Sequence, residues 1–150
     1  MRVRTEIDPN GEEEIVIRCK SRTEKIIQTE ELIENAMKTR GDLPLYIANT
    51  EYYIDKNDIL FFETTDGKVY AHTRNGMYAS HYRLFEIEET MPSYFIRISK
   101  SAIANVKLIT SLRRELTGNG EIEFKSCDKK VYFSRAYYKL LRDKIEEIRL

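Results

Sequence analysis

The sequence predicts a mostly β domain, α+β overall, in which short antiparallel strands are accompanied by short helices. Apolar and β-branched runs are separated by the turn signals Asp66-Gly67, Asn75-Gly76 and Gly118-Asn119-Gly120, which are typical of β-hairpins. Apolar residues at helical spacing are confined to a few stretches, the longest of them near the two ends of the chain. With 150 residues, 41% of them hydrophobic and 33% charged, the chain is long enough to form a core without disulfides or a metal.

Residues 1–44 are expected to form an N-terminal hairpin-helix extension. Arg2–Ile7 and Glu14–Cys19 have the composition of two strands around the turn cluster Asp8-Pro9-Asn10-Gly11. A helix is predicted from about residue 23 to 39, with its apolar residues mostly on one face, and Pro44 lies just beyond its end. Because a short helix with one apolar stripe must pack against something, its role is docking on the main domain, a dimer contact or a partner-protein site.

Residues 45–150 are predicted to form the main domain. Ile59–Thr64 is the most apolar run and is expected to be a central strand, whereas Ser80 and Ser134 are expected to cap helices. The predicted strands lie within or at Tyr46–Tyr53, Ile59–Thr64, Lys68–Thr73, Met77–Ala79, Phe95–Ile98, Ala102–Val106, Leu108–Leu116, Glu121–Lys125 and Lys130–Phe133.

The charge is unevenly distributed along the chain, although the formal net charge is zero. Residues 1–44 carry 8 Lys and Arg against 10 Asp and Glu, and residues 45–95 carry 4 against 8. Residues 96–150 carry 13 against 7, a net charge of +6. A basic last third beside an acidic remainder indicates a polarised surface that can meet a polyanion.

Basic residues of this last third fall at predicted turns and element ends, close to Ser134 and Tyr137. A row of such side chains on loops at one edge is what a nucleic-acid surface needs, although basic residues also simply prefer solvent. The residues concerned are Lys100, Arg113, Arg114, Lys129, Lys130, Arg135 and Lys139.

Signatures of catalysis, metal binding and membrane insertion are missing from the sequence. Hydrolase, zincin and nucleotide-loop motifs do not occur, and His72 lies in a predicted strand where a structural role is favoured. Cys19 and Cys127 have no partners at metal-ligand spacing. No apolar run approaches the roughly 20 residues of a membrane span, and no secretory signal precedes the domain. We therefore expect a cytoplasmic, non-enzymatic protein without a catalytic residue, cofactor or metal.

Three segments of residues 45–150 resemble the LytTR DNA-binding domain of bacterial transcription regulators. DILFFETTDGKVYAHT (58–73) is similar to the family's opening strand pair, and YFIRISKSAIANVKLI (94–109) to its F-x-R-x-H-[RK]-S-x-[IL]-V-N stretch. VYFSRAYYKLLRDKI (131–145) is similar to its C-terminal S-R-x-Y-x-x-L segment. Ser99 stands where the family most often has His, and Ala104 replaces the usual Val.

The resemblance implies an elongated stack of short strands that binds double-stranded DNA by inserting loops into successive major grooves of repeat sites. It implies Lys68 near one groove, Ser99, Lys100 and Ser101 over the backbone, and Ser134, Arg135 and Tyr137 near a second groove, with Lys139 close by. Because residues 1–44 are too short for a receiver domain, a stand-alone, response-regulator-like protein is expected. The apolar stripe of residues 24–39 offers a contact for a homodimer, and the resemblance suggests a small membrane-protein regulator as a further partner.

Two other classes of function stay open from the sequence alone. One is a protein-interaction module or anti-activator that keeps the fold without specific DNA binding, which the zero net charge and Ser99 favour. The other is a small-molecule enzyme whose site carries no recognisable motif.

Overall fold

The computed structural model describes residues 2–11, 14–38 and 42–150, and within them strands predominate. The strands are β1 Asp42–Ile47, β2 Thr50–Asp55, β3 Ile59–Thr65, β4 Lys68–Thr73, β5 Met77–Ser80, β6 Phe95–Ser99, β7 Ala102–Asn105, β8 Ile109–Arg114, β9 Gly120–Phe124 and β10 Lys130–Phe133. The helices are α1 Glu24–Lys38, α2 Leu84–Thr90 and α3 Tyr138–Arg149. The strands form a large antiparallel sheet in the order β2-β1-β5-β4-β3-β7-β6 and a small one in the order β10-β9-β8.

Strand β3 is buried on both faces, which confirms the prediction of a central strand. A bulge between Ile59 and Phe61 lets consecutive apolar residues serve two cores. Leu60 and Phe61 enter the core shared with the small sheet, whereas Ile59 and Phe62 enter the core on the other face. All four side chains are at most 2% exposed.

The large sheet therefore lies between two layers. On one face the small sheet and Leu141 of α3 complete a core, and on the other face Leu84 and Ile87 of α2 do so. The buried Asn105 side chain at the end of β7 makes two hydrogen bonds to the backbone. It donates to the Ile59 carbonyl of β3 (3.0 Å) and accepts from the Lys107 amide (3.1 Å). This packing fixes which strand ends come together.

One reversal of the chain was not predicted. The region Tyr46–Tyr53 contains two strands, because the chain turns back at Ala48, whose φ is +52°. Alanine rarely adopts this left-handed conformation, so no glycine signal marked the turn. At Asp66-Gly67, by contrast, the predicted hairpin is confirmed, with φ of +51° and +77°.

The predicted N-terminal hairpin is wrong in its strands and right in its turn. The Gly11 amide donates to the Asp8 carbonyl (3.2 Å), but Arg2–Ile7 and Glu14–Cys19 form no ladder within the described residues. Of their apolar side chains, Val3, Ile7, Ile15 and Val16 are exposed, and a two-stranded hairpin with no third strand or helix over it has little stability.

Helix α1 docks on the main domain. Ile26 is buried, the Asn35 amide donates to Ser93 Oγ (2.6 Å), and the Ser93 amide donates to Asn35 Oδ1 (2.9 Å). The helix predicted here is confirmed, although its predicted end at Thr39 lies outside the described residues. The domain boundary at 44/45 stays a prediction, and β1 runs across that point.

Both predicted serine caps are wrong. Helix α2 begins at Leu84, and Ser80 Oγ accepts a hydrogen bond from the Tyr82 amide (3.1 Å). Ser134 precedes a 3₁₀ turn, Arg135–Tyr137, and makes no side-chain capping bond. In the part of the chain that the structure describes, no helix is long and apolar enough to cross a membrane.

Candidate nucleic-acid interface

Three segments that are far apart in sequence meet at one end of the two sheets. Lys68 begins β4 directly after the β3–β4 hairpin, and the Thr64 amide of that hairpin donates to the Ser101 carbonyl (2.8 Å). On the other side of the β6–β7 turn, the Ser134 amide donates to the Ile98 carbonyl (2.9 Å). The β3–β4 hairpin, the β6–β7 turn and the connection from β10 to α3 therefore lie side by side, and we call this the turn end.

The loop between β8 and β9 completes the turn end. Its Asn119 side chain accepts a hydrogen bond from the Arg135 amide through Oδ1 (2.8 Å). Gly118 has a φ of +90°, and a Cβ placed on it would lie 2.8 Å from Arg135 Cγ. Only glycine therefore combines this backbone conformation with the close approach of the Arg135 side chain. The Gly-Asn-Gly signal predicted the turn, but not its contact with Arg135.

The turn end carries several cations without an ion pair. Four exposed residues there make no ion pair within the described residues: Lys68, Lys100, Arg135 and Lys139. The Arg114 guanidinium lies 4.1 Å from the centre of the Tyr138 ring, and that ring stacks on Phe133. This cation–π contact holds Arg114 in place without neutralising its charge.

Other basic residues of the predicted row are occupied or lie elsewhere. Arg113 and Lys130 share the buried Glu121 carboxylate at 2.6 and 3.4 Å, so their charges are largely balanced. Lys129 Nζ donates to the Gly76 carbonyl (2.7 Å), and Gly76 lies between β4 and β5 at the opposite end from Lys68. The prediction of one continuous row is therefore wrong for Lys129 and Lys130, because β10 runs from that opposite end toward Ser134.

The Arg97 side chain holds the β6–β7 turn in place by hydrogen bonds to its backbone. Its Nε donates to the Ser99 carbonyl (2.8 Å), a terminal nitrogen donates to the Lys100 carbonyl (2.7 Å), and the other pairs with Glu88 (2.9 Å). Arg97 stands in the F-x-R motif, but the motif alone predicted no role for it. A guanidinium bonded to two successive carbonyls fixes the turn that carries Lys100.

The two serines of this turn bond to one another. Ser99 Oγ accepts from the Ser101 amide (3.2 Å), and the two hydroxyls lie 3.3 Å apart. Ser99 is half buried and Ser101 is exposed. At the neighbouring segment, Ser134 and Tyr137 are half buried beside the exposed Arg135. The turn end thus combines hydroxyl groups with cations, which is suited to phosphate.

Acidic residues at the turn end are fewer than its cations. Asp66 in the β3–β4 hairpin and Glu115 after β8 are exposed. Glu63 of β3 is partly buried, and this burial raises the pKa of its carboxyl group. The field of the turn end is therefore set chiefly by Lys68, Lys100 and the arginines.

His72 has a packing role in β4. Its ring stacks on Phe61 with centroids 4.3 Å apart, and burial, with a smaller effect of Lys129, lowers the pKa of His72 to about 4. The imidazole is therefore neutral at pH 7, in agreement with the structural role favoured from the sequence. No group of His, Cys, Asp and Glu suited to a metal occurs among the described residues.

Comparison with known proteins identifies relatives over the same part of the chain. The family model for the LytTr DNA-binding domain matches residues 49–146. Two uncharacterized HTH-type transcriptional regulators from Staphylococcus aureus are similar in sequence to this chain. The one from strain bovine RF122 / ET3-1 is 34% identical and the one from strain NCTC 8325 / PS 47 is 33% identical to it. Each match spans 100 residues, which is 67% of this chain and 67% of the relative. A LytTr DNA-binding domain from Bacillus cereus has a similar fold, with a TM-score of 0.65 and 20% identity over 71% of this chain and 97% of that chain.

Proposed function

The chain belongs to the LytTr DNA-binding domain family, and on that premise we propose that it is a bacterial transcription regulator that binds specific double-stranded DNA through the turn end. One observation carries this proposal above the others. The exposed cations Lys68, Lys100 and Arg135, which make no ion pair within the described residues, lie on three adjacent segments of one end. Five of the other basic residues in the last third make ion pairs, namely Arg97, Arg113, Lys130, Arg142 and Lys144. Such a concentration of charge on fixed loops is suited to a duplex.

The chemistry of the side chains suggests which of them contact bases and which contact the DNA backbone. Arg135 presents a planar guanidinium that can donate to guanine O6 and N7 together. Lys100 offers a point charge suited to phosphate, and Lys68 can serve in either way. We assign Arg135 to base reading and Lys100 to the DNA backbone.

The remaining polar groups are assigned to backbone contacts. The Ser101 and Ser134 hydroxyls can donate to phosphate oxygens, whereas Ser99 already accepts from the Ser101 amide. Tyr137 and Lys139 follow Arg135 and extend the contact along the same strand of DNA. In this arrangement Ser99 supports the turn.

The test is binding to duplex DNA across a salt series. A duplex is selected from a random library with the full chain, and fluorescence anisotropy is measured with an unrelated duplex as competitor. We expect the selected duplex to resist the competitor and log affinity to fall linearly with log salt. Lys100→Ala should weaken all duplexes similarly and lower the salt slope by about one unit. Lys125→Ala is the matched control, because Lys125 is equally exposed at the opposite end of β9.

Two outcomes would contradict the proposal. If the unrelated duplex competes equally, binding is only electrostatic and the protein does not read sequence. If no duplex binds at low salt, the interaction-module function becomes the better explanation. An equal effect of Lys100→Ala and Lys125→Ala would place the DNA at a different surface.

A further inference from the structure

The segment of residues 14–22, which we call the arm, joins neither a helix nor a strand. None of its backbone groups joins a ladder within the described residues, and Ile15 and Val16 are 63% and 59% exposed. Its sequence, EIVIRCKSR, alternates little but is rich in β-branched residues, which favour strands. An exposed segment of this composition is stable only when something covers it.

Strand β2 forms an open edge of the large sheet. It pairs with β1 over six residues from Thr50 to Asp55 without a bulge, and among the described residues no strand lies on its outer side. Tyr53 is 66% exposed. Natural edge strands are usually guarded by charged side chains, proline or a bulge; β2 has neither proline nor a bulge, and its charged side chains are the acidic Glu51 and Asp55. The opposite edge, β6, is continued by the bond from the Ser134 amide to the Ile98 carbonyl.

We propose that the arm of one molecule adds as a strand to β2 of a second copy of this chain, and that the second copy returns its own arm. Strand addition supplies main-chain partners to an open edge and covers apolar side chains at the same time. Reciprocal exchange uses the same two surfaces on each molecule and therefore closes with twofold symmetry rather than growing into a filament.

The charges of the two surfaces are complementary. The arm carries Arg18 and Lys20, which are exposed and make no ion pair within the described residues. Strand β2 carries the exposed Glu51 and Asp55. Opposite charges across a strand pair stabilise it, whereas like charges destabilise it, so the arm fits β2 better than it fits another arm. This complementarity favours a second copy of the chain over an unrelated apolar partner.

A charge-swap experiment tests the exchange. Sedimentation velocity over a concentration series at low ionic strength should give a species of twice the 17.8 kDa mass for the natural chain. Arg18→Glu and Glu51→Lys should each raise the dimer dissociation constant at least about tenfold, because each homodimer then contains two like-charged contacts. An equimolar mixture of the two variants should regain the natural affinity, because both contacts in the mixed dimer are then between opposite charges.

A proline pair controls for nonspecific effects on the arm. Val16→Pro removes a backbone N–H donor from the arm and should abolish the dimer. Val3→Pro changes a residue that also lies outside any strand and is 92% exposed, and this variant should leave the dimer intact. Neither residue packs in a core, so both variants should keep the fold and DNA binding. The proposal is overturned if the natural chain is a monomer. This includes a monomer in which the arm folds onto β2 of the same molecule and its amides are protected from exchange. The proposal is also overturned if the mixture fails to restore association.

Discussion

At the scale of single residues, Arg135 depends on neighbours that the sequence does not place beside it. Its amide is held by Asn119, and its side chain lies across Gly118, where any Cβ would collide with it. The guanidinium itself stays exposed and makes no ion pair in the described part of the chain. A residue held in this way can present its donors to a base with little loss of side-chain freedom.

We predict that Arg135→Ala weakens binding to the selected duplex by about 1–3 kcal/mol and relaxes the preference at one base pair. Arg74→Ala is the control, because Arg74 is an exposed arginine at the opposite end, between β4 and β5. Affinities for duplexes substituted at each position provide the measurement. Unchanged base preference in Arg135→Ala would remove this residue from base reading.

At the scale of elements, the β6–β7 turn is held by a side chain rather than by its own sequence alone. Arg97 donates to the Ser99 and Lys100 carbonyls, and its third contact, with Glu88, links the turn to α2. The Arg97 side chain is 20% exposed, so it acts from within the domain and not at the proposed DNA surface. It is therefore a positioning residue for Lys100.

We predict that Arg97→Ala lowers duplex affinity roughly tenfold and the free energy of unfolding by about 1–2 kcal/mol, because two turn carbonyls lose their donors. Arg97→Lys should behave almost as Arg97→Ala, since an ammonium group cannot span both carbonyls in the same geometry. Hydrogen exchange at Ser101 and Ala102 reports the loosened turn. Glu88→Gln, which removes only a half-exposed ion pair, should have a small effect. If Arg97→Lys kept the natural duplex affinity, the positive charge at residue 97, and not its hydrogen bonds to the two carbonyls, would account for the effect.

At the scale of the whole molecule, the turn end and the opposite end differ in chemistry. The turn end carries the exposed cations Lys68, Lys100 and Arg135, whereas at the opposite end Lys129 donates to the Gly76 carbonyl near His72 and the exposed cations include Arg74 and Lys125. Desolvation lowers the pKa of Lys129 as well as that of His72. Protonation of His72 would place a second positive charge in a partly buried site near Lys129, so the folded state resists it.

This arrangement predicts a pH dependence of stability. The folded pKa of His72 is about 4, below the ordinary value of 6.5, so its contribution is complete above pH 6.5 and is lost as the pH falls toward 4. We expect the free energy of unfolding in urea to fall by about 1 kcal/mol between pH 7 and 5, after allowing for solvent screening. His72→Phe, which keeps the ring on Phe61, should flatten this slope. An unchanged slope in the variant would assign the pH dependence to other groups.

Much of the fold could be predicted from local sequence signals. The hairpins at Asp66-Gly67 and Gly118-Gly120, the central strand at Ile59 and the two terminal helices all follow from turn chemistry or from apolar periodicity. These features are local, because a turn residue or an apolar run acts on its own few neighbours. The family was also identifiable, because its motifs are short contiguous segments.

Tertiary structure decided the features that depend on partners distant in sequence. It allowed Ala48 a left-handed turn, left the arm without the hairpin that its composition favours, and moved both helix starts past their predicted serine caps. Folding also left the Lys100 side chain exposed, whereas it brought Lys129 Nζ to the Gly76 carbonyl. The sequence by itself determined that basic residues gather in the last third. Which of them are available to a polyanion depends on strand direction and on the carboxylates and carbonyls that folding brings beside them, because a nearby partner balances the charge.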